Sequence, residues 1–298
     1  MNTCRIETPR TCAEASALLQ ALPDARVLAG GTDVVVRLKD QLIWPPLVEI
    51  SRLAELHGMT EVDGWLRLGA LSTWTEIERA ALTARHADVL VEAAREVGSP
   101  QIRNRGTLGG NVANASPAGD SLPALIVLDA ELELRGTQST RRVAVAQFCC
   151  APGKTVLAHD ELIVAIWVPV RAGWRGAFVR LGQRAALAIS KVSVAVRVLR
   201  ADGIVQDSRI TLGAVAPTVL RVPEAEAVLR GQRLSAAVMQ AAAEVVCAAA
   251  RPITDIRSNE PYRRAMCGEL LQRALARLAE PTNPSDPSDP SDPSDKIT

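Results

Sequence analysis

Aromatic side chains are scarce: five Trp, two Phe and one Tyr are the whole complement of 298 residues. That is too few for a platform that stacks the bases of a single strand. Histidine is scarcer still. His57, His86 and His159 are scattered, and none stands in a zinc-ligand spacing. Charge of one sign is missing too. Lys and Arg number 34 against 33 Asp and Glu, for a formal charge of +1. Such a balance supplies no field to draw nucleic acid or an anionic membrane. No apolar run reaches the roughly 20 residues of a spanning helix. The segment Met1 to Arg10 lacks the basic and apolar regions of a signal peptide. A cytoplasmic protein is expected.

Motifs are missing as well. Cys4, Cys12, Cys149, Cys150, Cys247 and Cys267 include no C-x-x-C pair. No iron–sulfur ligand set is recognisable, and buried free thiols are the expectation. Gly153-Lys154-Thr155 ends like a P-loop, but Phe148 stands where the earlier glycine is required. No G-x-G-x-x-G follows a strand, and no G-x-S-x-G elbow occurs.

What is present is a hydrophobic content of 48%, enough to build cores for two domains. Thr11 to Leu22 reads as a helix, with Thr11 and Glu14 at capping-box spacing. Short strands are expected at 26–29, 47–50 and 66–70, and helices at 74–79 and 86–97, the second stopped by Gly98. The apolar stretches 125–134 and 161–168 read as strands. The first 170 residues are thus mixed α and β. After Pro169 the texture changes. Strands at 192–199 and 210–216, with a turn at Ala201-Asp202-Gly203, predict an antiparallel hairpin. Helices at 235–250 and 260–278 follow, capped by Ser235 and Asn259. The predicted division is 1–170, 171–279 and a disordered Ser-Asp-Pro tail at 280–298.

Two glycine-rich loops carry the chemistry. One is Leu28-Ala29-Gly30-Gly31-Thr32-Asp33. The other is Thr107-Leu108-Gly109-Gly110-Asn111, running on to Asp120. Paired glycines let main-chain N–H groups approach an anion without a side chain in the way. Asp33 and Asp120 add acceptors, equally suited to capping their loops or to touching a ligand. Together the loops predict a backbone-lined site for a phosphate-rich cofactor. No convincing acid, base or nucleophile accompanies them, so the cofactor is expected to do the chemistry.

The stretch from Gly98 to Asp120 resembles the FAD-binding subunit of xanthine dehydrogenase-type molybdenum hydroxylases, and Leu28 to Asp33 is similar to that family's other flavin loop. The runs Ala151 to Thr155, Asp160 to Ile163, Arg180 to Arg184 and Ala188 to Ser190 match in order and spacing. The resemblance covers residues 3 to 278. It implies an α+β fold: a two-subdomain FAD-binding unit of the vanillyl-alcohol-oxidase type (PCMH type), then a small antiparallel sheet with helices like the carbon monoxide dehydrogenase flavoprotein.

The resemblance also implies roles. Arg26, Val27, Leu28, Ala29, Gly30, Gly31, Thr32 and Asp33 would wrap the FAD diphosphate. Thr107, Gly109, Gly110 and Asn111 would form a second clamp. Asp120 would hold the ADP half, and Ile163 would pack at the adenine end. Val97 and Gly98 would border the isoalloxazine, with Ile189 near it and Arg180 as a cationic partner. Arg180 stands where the family usually has lysine. Val97 replaces a ring-packing aromatic of some relatives, and Leu187 and Ala188 replace acidic residues. FAD is expected to be non-covalent. The implied function is an electron relay. A molybdopterin-containing large subunit would oxidise its substrate, a 2Fe-2S small subunit would pass the electrons to FAD here, and NAD+ or another acceptor would take them. The alternatives are a self-contained FAD-dependent oxidoreductase of the same superfamily and a non-catalytic assembly protein.

Overall fold

The computed structural model describes residues 5–184 and 187–279. Cys4 and the Ser-Asp-Pro tail, expected to be disordered, lie outside the described residues. The chain opens with β1 (Ile6–Glu7), α1 (Cys12–Ala21), β2 (Arg26–Leu28), α2 (Val34–Leu38) and β3 (Leu47–Glu49). The three strands form a parallel sheet in the order β1-β3-β2. The Thr11 hydroxyl accepts from the N–H of Glu14 at 3.1 Å, as the capping spacing predicts. Glu14 reaches back to the N–H of Arg10 instead of Thr11. Cys12, Ala15 and Leu19 turn one face of α1 onto Val48, Ile50, Leu53 and Leu56.

The next unit contains β4 (Met59–Val62), β5 (Trp65–Gly69), α3 (Trp74–Arg79), α4 (Ala81–His86), α5 (Asp88–Glu96), α6 (Pro100–Arg103), α7 (Leu108–Asn114) and α8 (Ser121–Val127). It continues through β6 (Glu131–Arg135), β7 (Thr140–Ala144), α9 (Val145–Phe148), β8 (Cys149–Ala151), β9 (Lys154–Thr155) and β10 (Leu162–Pro169). Five strands make an antiparallel sheet in the order β4-β5-β10-β6-β7. Its core joins Leu66, Leu68 and Ile166 of the sheet to Trp74, Ile77, Leu90, Leu108 and Leu125 of the helices. β10 also sends Leu162 and Val164 into the core of the first sheet, which locks the two units together.

One expectation fails here. The apolar stretch 125–134 is not one strand. It is the end of α8, a turn at Asp129 with φ +53°, and then β6. Every residue of α8 is buried. A helix buried all round shows no amphipathic period, so its sequence looks like a core strand.

The last unit holds β11 (Trp174–Leu181), β12 (Val192–Ala201), β13 (Ile204–Gly213), β14 (Leu220–Arg221), α10 (Pro223–Leu229), α11 (Ala236–Ala249) and α12 (Glu260–Ala279). The strands pair antiparallel in chain order. Asp202 and Gly203 both have positive φ, as the tight hairpin between β12 and β13 demands. β13 begins six residues before the expected start at Ile210 and ends at Gly213 rather than Ala216. Ser235 caps α11, and the Asn259 side chain accepts from the N–H of Tyr262 at 2.9 Å.

Val192, Val194, Val196 and Val198 face the helices of this unit, while Ala195 and Phe178 face the central unit. The N–H groups of Gly176 and Phe178 donate to Asp88 and Glu92 of α5, each at 2.7 Å. Edge amides of β11 are thus satisfied by carboxylates, which fixes this sheet against the helices that border the glycine loops.

Candidate functional site

A cleft of about 810 Å³ opens between the first sheet and the helices of the central unit. Its walls come from the end of β2, the first glycine loop, α2, the Val97–Gly98 turn, the second glycine loop, α7 and the start of β10. Fourteen residues named from the sequence line it: Arg26, Val27, Ala29, Gly30, Gly31, Thr32, Asp33, Val97, Gly98, Thr107, Gly109, Gly110, Asn111 and Ile163. Segments far apart in the chain are therefore brought to one place.

The two glycine loops do different work. Among the described residues, no hydrogen bond occupies the N–H groups of Gly30, Gly31, Thr32 or Asp33. Gly31 takes φ +77°, which favours glycine. A row of free main-chain donors beside a cleft is an anion cradle. In the second loop the donors are already used. Gly109 donates to the Ala70 carbonyl at 2.8 Å, Gly110 to the Thr107 hydroxyl at 3.2 Å, and Asn111 to the Thr107 carbonyl at 3.0 Å. A Cβ on Gly109 would stand 2.8 Å from Ala70. Gly109 lets the start of α7 pack tightly on Ala70, the residue after β5, and so form a rigid wall. The Asn111 side chain accepts from Ser121 at 2.6 Å, leaving its amide donors for the cleft.

α5 stops at Glu96, and Gly98 takes φ +50°. A Cβ there would meet Ile102 at 2.7 Å. Arg103, four residues before Thr107, aims Nη1 at the carbonyls of Arg95, Val97 and Gly98. It braces the turn that borders the cleft.

Four named residues do not line the cleft: Leu28, Asp120, Arg180 and Ile189. Asp120 is buried and accepts from the Ser190 hydroxyl at 2.7 Å, with Arg180 Nη1 3.6 Å away. Arg180 donates to Glu96 at 2.9 Å and to the Ala188 carbonyl at 2.7 Å. Its side chain is only 5% exposed. Asp120 is thus paired within the protein, and Arg180 is held by two carboxylates and a loop carbonyl. Ile189 is 66% exposed on that loop. This cluster sits one residue behind the cleft wall, at Glu96. Burial pushes the Asp120 carboxyl up to about 6, against the opposing pull of Ser190 and Arg180.

Several lining residues were not anticipated: Arg37, Asn114, Gly153, Glu161 and Trp74 among them. Arg37 lies one helical turn after Asp33, a signal that reading α2 as a helix would have supplied. Glu161 is gripped by Arg141 through two bonds of 2.7 and 2.8 Å, which hold its carboxyl below the usual range. His57, His86 and His159 lie elsewhere: they contact Ser51, Glu61 and Leu22. The five described thiols are free, but Cys150 is exposed, so not all are buried as expected.

These features suit FAD. The free amides and the cations Arg26 and Arg37 answer a diphosphate, and the apolar walls at Val97, Ile102 and Ile163 answer flat rings. Residues 2–171 match the model of the FAD binding domain in molybdopterin dehydrogenase, and residues 177–278 match the CO dehydrogenase flavoprotein C-terminal domain. The chain belongs to this family. It is 32% identical to the xanthine dehydrogenase FAD-binding subunit of Escherichia coli O157:H7, over 89% of this chain and 92% of that one. It is 32% identical to the nicotine 6-hydroxylase medium subunit of Paenarthrobacter nicotinovorans, over 91% and 95%. Among solved structures, carbon monoxide dehydrogenase from Hydrogenophaga pseudoflava superposes with a TM-score of 0.88 at 33% identity, covering 92% of this chain and 96% of that one. The family places the protein as the FAD-binding oxidoreductase subunit of a molybdenum hydroxylase-type complex. Its two-part architecture matches the α+β expectation. Among the described residues, no helix is long and apolar enough to cross a membrane.

Proposed function

We infer that this subunit is an electron relay, taking electrons from a 2Fe-2S partner and passing them to NAD+ or another acceptor, while a molybdopterin-containing large subunit oxidises the substrate. One observation carries the reading. Among the described residues lining the cleft, the only acidic side chains are Asp33 and Glu161, no histidine lines it, and Glu161 is already committed to Arg141. A wall so poor in free acids and bases suits electron passage better than substrate chemistry of its own. That weighs against a self-contained oxidoreductase.

In this reading residues 1–170 bind FAD and residues 171–279 brace the bound flavin and its loop. The amides of Gly30 to Asp33 hold the diphosphate. Thr107, Gly109, Gly110 and Asn111 form the opposing wall. Val97, Gly98 and Ile163 pack on the ring systems. Asp120 and Arg180 act from behind, by fixing the loop that carries Ile189. FAD supplies an isoalloxazine that accepts and releases electrons. The protein excludes water around it and sets its orientation. The relatives' names span xanthine, nicotine and carbon monoxide. We therefore assign the choice of substrate to the large subunit, with a xanthine-type substrate as the first to try.

The test is an absorbance spectrum of the purified chain, before and after acid precipitation, with anaerobic addition of NADH. Flavin bands released to the supernatant as FAD support non-covalent binding. Bleaching by NADH supports NAD+ as the acceptor. Flavin that NADH does not bleach points to another acceptor. A chain that cannot be reconstituted with FAD sinks the relay reading.

A further inference from the structure

Asp33, Arg37 and Asn114 form a chain of side chains across the cleft. Arg37 projects from α2, just after the first glycine loop, and its Nη2 donates to Asn114 Oδ1. Asn114 ends α7, just after the second loop, and its Nδ2 donates to Asp33 Oδ1 at 3.3 Å. The two loops are thus tied by side chains. All three residues line the cleft. Arg37 and Arg26 are the cations among its lining residues. Arg37 is exposed, and only one of its five N–H donors is used by Asn114.

The amides of the first loop offer partial charges only, whereas a diphosphate brings full negative charge. A planar guanidinium a turn away supplies the matching cation and a fork that fits phosphate oxygens. We propose that Arg37 is a cofactor-binding residue that exchanges Asn114 for the diphosphate of a bound dinucleotide, so that the tie across the loops is replaced by one through the ligand. This rests on the flavin reading above. Exchange of a neutral amide partner for an anionic one favours the bound arrangement, and the exposed position of Arg37 lets it move without disturbing the core.

The experiment is FAD titration of the flavin-stripped full chain, followed by quenching of flavin fluorescence, for wild type, Arg37→Lys, Arg37→Gln and Arg37→Ala at low and high ionic strength. Loss of charge-assisted bonds to phosphate is expected to weaken binding about 10- to 100-fold in the Gln and Ala variants. Lys keeps the charge without the fork and is expected to fall between them and wild type. Added salt is expected to narrow the gap between wild type and Gln. Gln and Lys can both still donate to Asn114, so a merely structural tie predicts that both retain affinity and only Ala loses it. That order, or affinities all within twofold of wild type, overturns the proposal. Failure of wild type itself to bind FAD is a separate result and overturns the flavin reading first. Thermal melts of the stripped variants check that each is folded; an exposed substitution of this kind is expected to leave them close to wild type.

Discussion

A Cβ placed on Gly30 would stand 1.8 Å from the carbonyl oxygen of Arg105. The first glycine loop therefore touches, backbone to backbone, the segment that leads into the second. Gly30→Ala must push the two apart, because the obstacle is main chain and cannot rotate away. We expect that variant to lose bound flavin. Gly153 is the control. It also lines the cleft and has φ +69°, but a Cβ there meets nothing within 4 Å. Gly153→Ala is expected to cost on the order of 1 kcal/mol through its backbone conformation and to keep its flavin. The flavin-to-protein absorbance ratio of the two purified variants checks both. Equal flavin content would show that loop contact does not shape the site.

Arg263 organises the far end of the last unit. It is 1% exposed and donates to the carbonyls of Lys191 at 3.0 Å, Ile253 at 2.6 Å and Ala214. Those carbonyls belong to three different segments, one of them leading out of the loop that carries Ile189. Arg263→Ala is expected to destabilise the chain by on the order of 2–4 kcal/mol, since it strands one buried and two part-buried acceptors at once. Arg263→Lys should recover little, because one ammonium cannot span what a planar fork spans. Urea unfolding curves decide the point, and a lysine variant as stable as wild type would refute it.

Thiol reactivity should separate the cysteines. Cys150 is exposed, whereas burial pushes the thiols of Cys12 and Cys149 up to about 11 and that of Cys267 to about 12. Only the thiolate attacks a disulfide reagent. Among these four, brief labelling at pH 8 is expected to mark Cys150 first, as read by peptide mass mapping. Early labelling of Cys267 would mean that α12 opens readily.

Local signals were legible in the sequence wherever a cap or a turn fixed them. Thr11, Ser235 and Asn259 each start the helix they announce, and Asp202-Gly203 makes the hairpin it implies. Buried elements were harder. α8 has no polar face, so it read as strand. The glycine loops were found, but not their division of labour. Nothing in Gly109 says that its amide is spent on Ala70, since that depends on the chain just after β5 lying beside it. Arg37 was missed because its role depends on Asn114, far away in the chain. Asp120 follows a glycine loop, and that local signal carries no hint of its protein partner Ser190, which comes from another unit.

Asp120 also makes stability depend on pH. Its carboxyl rises from an ordinary 3.8 to about 6 in the folded chain, chiefly through burial. A raised carboxyl means that the folded state holds a proton that the unfolded chain has lost. Stability is therefore greatest below the unfolded value and falls as pH rises through the window from about 4 to about 6. By linkage the loss between pH 4 and pH 7 is on the order of 2 kcal/mol. Asp120→Asn cannot ionise, and its Oδ1 can still accept from Ser190. Relative to wild type it is expected to gain stability across that window and then hold level, in denaturant unfolding of the flavin-free chain. A gain that kept growing above pH 7 would point to another group. No gain at all would mean that Arg180 and Glu96 rearrange to keep the carboxylate charged at little cost, and the buried cluster behind the cleft would then be more adaptable than its 5% exposed guanidinium suggests.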